Sequence, residues 1–170
     1  SVIQGDHEEA ARIVKPISCC DIRHHGVAGF LGNVYAWASD PTCQLWFKKA
    51  VQLSTDAMKV GHSDEELPAH VAHADALFTY GKALAIGANS IADLRNGQPL
   101  IGLRRAIAEQ AEEVLERFLR TTILEDRHAV EAAYWLAELT IHLHGESSPQ
   151  HLKFSQAACA IAQHNRGLFG

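Results

Sequence analysis

Apolar residues recur along this chain at spacings of three and four, and no short run alternates cleanly between apolar β-branched and polar residues. The pattern predicts an all-α fold: one single-domain helical bundle, residues 1–170, of about six to seven helices. A first helix opens at Asp6, with Glu9 at capping-box spacing, and ends near Pro16. A second covers about Asp21 or Arg23 to Trp37. Its Gly26, Gly29 and Gly32 leave a smooth strip where another backbone can approach, although a loop before a helix starting near Val27 reads equally well. The third has the clearest punctuation, with Asp40 as N-cap, Pro41 in the first turn and Gly61 as the stop. Ser63 and Glu66 repeat the capping spacing before a fourth helix that starts at Pro68 and runs through His73, Leu77, Tyr80 and Leu84 to Gly87. Ser90 to Arg95 then forms a short helical segment closed by Asn96-Gly97.

The last three helices differ in how much apolar surface they carry. From Leu100 to Thr121, Ile107, Ala111, Val114 and Phe118 form one stripe, with Glu109, Glu112, Glu113, Glu116 and Arg117 on the other faces. From Asp126 to His144 nearly every face is apolar, through Val130, Tyr134, Trp135, Leu136, Leu139, Ile141 and Leu143. That is the pattern of a central helix or one shared between subunits. Ser148-Pro149 opens the final helix, and Asn165-Arg166-Gly167 closes it.

Composition narrows the class further. At 47% hydrophobic and 21% charged, the chain can bury its own core without disulfides or a structural metal. A net charge of −5 argues against nucleic acid and against an anionic membrane surface as partners. The longest apolar stretch, Gly26 to Ser39, is too short to span a bilayer, and the N-terminal residues lack the basic and apolar regions of a signal peptide. A cytoplasmic location is therefore expected, with no membrane partner. Cys19, Cys20, Cys43 and Cys159 are too few and too irregular for a disulfide scaffold, and read as buried or partly buried thiols.

Two residue sets suggest a site. Tyr35, Trp37, Trp46, Phe78, Tyr80, Tyr134 and Trp135 could line an apolar-aromatic cleft for a small organic ligand or a protein partner, or could simply form the core. Histidine is the conspicuous excess, with eleven residues. His70 and His73 share a helical face. Cys43, His24, His25, His62 and Asp75 could complete a Zn or Fe site with them if the third and fourth helices pair. The bland alternative places His24 and His25 at a helix start and His142 and His144 at a helix C-terminus, where the dipole favours imidazolium.

The order of histidine, Cys43 and a histidine pair resembles the chemoreceptor zinc-binding domain, a four-helix bundle with a Cys-x-Leu/Phe-Gly-x-Trp element and a His-x-x-x-His pair. Here the element reads Cys43-Gln44-Leu45-Trp46-Phe47 without the glycine, and His70 and His73 stand one residue too close, so the chain is not assigned to that family. Glu109, Glu112, Glu113 and Glu116 with Glu131 and Glu138 resemble the Mg²⁺ carboxylates of all-α nucleotide pyrophosphatases. Tyr134, however, replaces the second carboxylate of their Glu-x-x-Asp element, and a solvated face paired with Arg104, Arg105, Arg117 and Arg120 accounts for the same pattern. Glu125 and His128 give a single Glu-x-x-His, whereas a di-iron bundle needs two such pairs. No nucleophile elbow or phosphate loop is present.

The sequence therefore supports, as its leading expectation, a non-enzymatic binding or interaction module with no required cofactor that self-associates, as a dimer. The competing expectations are a metal-dependent helical protein using His70, His73, Cys43 and His24, and a Mg²⁺-dependent nucleotide pyrophosphatase.

Overall fold

The computed structural model describes residues 2–60, 69–88, 100–122 and 127–169. It is all-α, with seven helices and no strand among the described residues: α1 (Val2–Ser18), α2 (His25–Trp37), α3 (Cys43–Val60), α4 (Ala69–Ala88), α5 (Gly102–Thr121), α6 (Arg127–His144) and α7 (Pro149–Phe169). The chain divides into two compact units, Ser1–Ala83 and Leu84–Gly170, with the division falling inside α4.

In the first unit α2 packs against both α1 and α3. Val14, Ile22, Ala28, Leu31, Val34, Tyr35 and Ala50 form the core, flanked by Cys43, Trp46, Leu53 and Ala76. The closest approach is at Gly32, where an added Cβ would stand 2.5 Å from the buried Phe47 ring. Glycine is required there because the ring occupies the space a side chain would need. Gly29 has nothing within 4 Å of the corresponding position, and Gly26 meets only the His24 ring. The three glycines are therefore not one strip: Gly32 faces the core of the unit and the other two face away from it.

The turn between α2 and α3 is specified residue by residue. Ser39, at φ 57, closes α2, with its N–H on the Ala36 carbonyl and the Asp40 N–H on the Tyr35 carbonyl at 2.9 Å, the paired bonds of a Schellman motif. The Asp40 carboxylate then accepts from the Thr42 N–H at 2.9 Å and the Thr42 hydroxyl at 2.6 Å. These bonds hold its carboxyl below the ordinary aspartate range, the Thr42 hydroxyl contributing most. Asp40 thus starts α3 as expected, through a short turn of i→i+3 bonds that carries the chain to Cys43.

In the second unit α6 packs against both α5 and α7, the central role its apolar pattern predicts. Its seam with α7 is built mainly from small side chains, Ala129, Ala133 and Ala158, closed by Ile161, with Leu119 and Val130 alongside. The α5 stripe is buried as expected through Ala111, Val114 and Phe118, with Ala108 and Leu115 added to it. Ser148 caps α7 by accepting from the His151 N–H at 3.2 Å. Polar ties cross the helix pairs, Glu112 to His144 Nε2 at 2.9 Å and Lys153 to Glu116 at 3.2 Å.

Three expectations need correction. The first helix begins at Val2 rather than Asp6 and continues past Pro16 to Ser18; a proline so near the end removes one backbone bond without stopping the last turn. The final helix runs beyond Asn165-Arg166-Gly167 to Phe169, because a glycine stops a helix only when it turns left-handed, as Gly145 does at φ 94 after α6. Cys19, Cys20 and Cys159 are exposed and only Cys43 is partly buried, because the first two stand at the solvent-facing end of α1 and the third on the outer side of α7. Pro68, Ser63, Glu66, Gly61, the Ser90–Arg95 segment and Asp126 lie outside the described residues. Among the described residues no helix is long and apolar enough to cross a membrane.

Candidate functional site

Of the seven aromatic residues proposed for a cleft, five belong to the first unit and two to the second. Tyr35, Phe78 and Tyr80 are buried. The Tyr35 hydroxyl lies 3.0 Å from Ser18 Oγ, and burial pushes the Tyr80 phenol above its ordinary range. Trp46 flanks the core of the first unit, with Lys49 Nζ 5.6 Å from its ring centroid. These four serve packing. Trp37, by contrast, is 54% exposed on α2, with the His7 ring 6.1 Å away. Tyr134 and Trp135 stand in the second unit, on α6.

The outer side of α2 is the first surface that calls for a partner. The helix contains no Asp, Glu, Lys or Arg. Gly26, Phe30, Asn33 and Trp37, at i, i+4, i+7 and i+11, share one exposed face, with Val27 and Ala36 exposed at its borders. Phe30 is 51% exposed. The inner face, Ala28, Leu31, Gly32, Val34 and Tyr35, is buried against the rest of the unit. A helix with an apolar face on both sides has more apolar surface than its own unit can cover.

The outer side of α6 is the second surface. Val130, Glu131, Tyr134 and Trp135 line an open groove of about 390 Å³. Trp135 Nε1 donates to Glu131 Oε1 at 3.4 Å, which holds the carboxylate at the edge of the indole. The sequence pointed to both aromatic residues but not to Val130 or to Glu131 as their neighbour. The signal was present in the i, i+1, i+4 and i+5 spacing of the four residues, which places them on one side of a helix.

Of the residues proposed for a metal, His24 and His73 are engaged in other contacts. His24 caps α2, its Nδ1 accepting from the Gly26 N–H at 3.1 Å, and its ring stacks on His25 with centroids 4.6 Å apart. His73 is buried, with Nδ1 3.0 Å from Ser54 Oγ, whose own proton goes to the Val51 carbonyl at 2.9 Å. Cys43 is half-buried; burial first, and the Asp40 charge second, push its thiol above the ordinary range. His70 stands in the first turn of α4, its side chain beyond what is described, and His62 lies outside the described residues. Among the described residues no group of three or more His, Cys, Asp or Glu is placed to hold a metal ion.

Four of the glutamates form separate pairs. Glu109 takes Arg105 at 3.0 Å, Glu112 takes His144, Glu116 takes Lys153 and Arg120, and Glu138 faces His142 at 3.4 Å. Glu125, the partner of His128 in the Glu-x-x-His reading, lies outside the described residues. His142 and His144 do occupy the last turn of α6, as the dipole argument requires. No family model matches this chain, and no curated protein or solved structure is significantly similar to it.

Proposed function

We propose that the protein is an interaction module that self-associates through the outer face of α2. The observation that carries this reading is the uncharged face of Gly26, Phe30, Asn33 and Trp37, in which two large aromatic side chains are about half exposed. Exposed aromatic side chains beside small residues are the composition of a helix–helix contact, where rings of one helix fill the gaps over glycines of the other. A second copy is the favoured occupant because the helix offers both parts of that fit, Phe30 and Trp37 as ridges and Gly29, with nothing within 4 Å of its Cβ position, as the gap. Such a self-complementary face closes on a two-fold axis.

The test is sedimentation equilibrium of the 18.6 kDa chain at micromolar concentration, with and without the paired change Phe30→Ser and Trp37→Ser. The expected result is a dimer for the parent chain and a monomer of unchanged helix content for the variant. A parent chain that sediments as a monomer would overturn the proposal.

A further inference from the structure

Two thiols stand next to each other where α1 ends. Cys19 and Cys20 are both exposed, unlike Cys43, which is half-buried. The backbone beneath them is fixed. The Cys19 N–H donates to the Pro16 carbonyl at 3.3 Å and the Cys20 N–H to the Ile17 carbonyl at 3.0 Å, the i→i+3 bonds that tighten a last helical turn. Before the pair, the Ser18 hydroxyl meets the Tyr35 hydroxyl at 3.0 Å; after it, Ile22 is buried in the core of the unit. The dithiol is therefore held open to solvent on an anchored backbone. The thiols themselves are lightly held, with Cys20 Sγ donating to the Pro16 carbonyl at 3.7 Å, a weak bond.

Geometry limits what the pair can do. Consecutive Cα atoms across a trans peptide stand about 3.8 Å apart, short of the separation of roughly 4.4–6.8 Å in relaxed disulfides. Direct closure of Cys19 on Cys20 is therefore strained, whereas both sulfurs can reach one shared atom that lengthens the bridge. Borderline ions such as Zn²⁺ take three or four protein ligands, and the neighbours do not supply them. The Asp21 carboxylate is taken by Arg23 at 2.8 Å, and His24 Nδ1 accepts from the Gly26 N–H at 3.1 Å. Among the described residues no group of three or more His, Cys, Asp or Glu is placed to hold a metal ion. Two soft sulfur ligands remain, which suit a thiophilic centre that needs only two bonds from the protein. A centre that binds its ligands in line, such as two-coordinate Cu⁺, needs them on opposite sides. Adjacent residues approach from one side, as a pyramidal trivalent centre requires.

We infer that Cys19 and Cys20 form a chelating dithiol site for a trivalent organoarsenical. In the binding step two S–H bonds and the arsenic–oxygen bond break and two As–S bonds form. The oxygen leaves with both protons as water, arsenic stays trivalent, and nothing is oxidised. The second As–S bond closes within one molecule, so the pair holds the centre more tightly than a single thiol through effective concentration. Cys43 and Cys159 belong to different units and have no cysteine beside them in sequence, so each offers one sulfur. The inference does not rest on self-association, because both cysteines precede α2.

The experiment is a titration of the full, reduced chain with phenylarsine oxide, read by intact mass and by the loss of free thiols. The expected result is one phenylarsenic group per chain at one equivalent, with two thiols consumed. That group should survive a large excess of the monothiol 2-mercaptoethanol and be removed by the dithiol 2,3-dimercaptopropanol. Cys19→Ser and Cys20→Ser, both exposed positions, are each expected to weaken its retention about a hundredfold, with the helical circular dichroism unchanged. The double change Cys43→Ser and Cys159→Ser is expected to leave retention as in the parent chain. Retention by Cys20→Ser equal to that of the parent, or loss from the parent at the 2-mercaptoethanol concentration that strips the single variants, would overturn the inference.

Discussion

The two units reach close helix packing by different routes. In the first, a large ring fills the space left by a missing side chain, Phe47 over Gly32. In the second, alanines on facing helices let the backbones approach, and charged pairs such as Glu112–His144 and Glu116–Lys153 tie the rim. The outer surfaces follow the same division. Helix α2 carries no charged residue and exposes Phe30 and Trp37, whereas on α6 the exposed Tyr134 and the half-buried Trp135 share a groove with the Glu131 carboxylate. The uncharged α2 face offers apolar surface alone, whereas on α6 the Glu131 carboxylate beside Trp135 makes the surface around the rings polar. What surrounds an exposed ring therefore sets the character of the surface more than the ring does.

The packing contrast can be broken most strongly at the seams. Phe47→Ala is expected to cost about 3–5 kcal/mol, because the cavity it leaves lies against a glycine that cannot fill it. Ala133→Leu in the second unit is expected to cost about 1–3 kcal/mol through overpacking of a seam that has no room for the added atoms. Denaturant titration of the two variants measures both, and a larger loss from Ala133→Leu would reverse the assignment of which seam depends on bulk.

The helix starts sharpen the comparison with smaller effects. Asp40 caps α3 with a charged group and Ser148 caps α7 with a neutral one, so Asp40→Ala and Ser148→Ala should each cost about 1 kcal/mol near neutral pH. The two part company in acid. Hydrogen bonds from Thr42 lower the folded-state pKa of Asp40. Its contribution is therefore complete above the unfolded-state value, near 4, and is lost as pH falls through the folded-state value. Melting curves across that range should show the Asp40→Ala deficit shrinking with acidity while the Ser148→Ala deficit persists.

The helix ends give the smallest effect. Ser39 and Gly145 both take positive φ after a helix, at 57° and 94°. Only one of them is a glycine. Ser39→Gly should stabilise by about 0.5–1 kcal/mol and Gly145→Ser should destabilise by a similar amount. Opposite shifts in melting temperature are the expected outcome, and shifts of the same sign would remove the left-handed strain argument at one of the two sites.

Much of the fold was legible because helix periodicity and caps are local. The α5 stripe, the central position of α6, and the caps at Asp40 and Ser148 depend on residues within a turn or two of one another. The glycines of α2 show where that reading stops. Spacing places Gly26, Gly29 and Gly32 near one another, but only the position of Phe47, from another helix, decides that Gly32 faces inward. The aromatic residues are ambiguous for the same reason. Composition cannot distinguish Tyr80, which is buried, from Tyr134, which is exposed, because each stands on a helix that is apolar on most sides. Histidine excess is ambiguous in a related way, since a capping His24 and a buried His73 bonded to Ser54 have the same side chain as a metal ligand. The groove on α6 was half legible: its two aromatic residues stood out by type, whereas Glu131 belonged to an acidic series that the structure separates into individual pairs.

Asp40 ends one helix with its backbone N–H and begins the next with its carboxylate. The five residues between α2 and α3 thus fix the reversal of the chain from local information alone. Loop closure is least costly for so short a connection, so pairing of these two helices needs no contact from the distant sequence before it can form. The same economy makes the turn intolerant of length change. One inserted or deleted residue would separate the N–H that ends α2 from the carboxylate that starts α3, and both helices would lose their boundary at once.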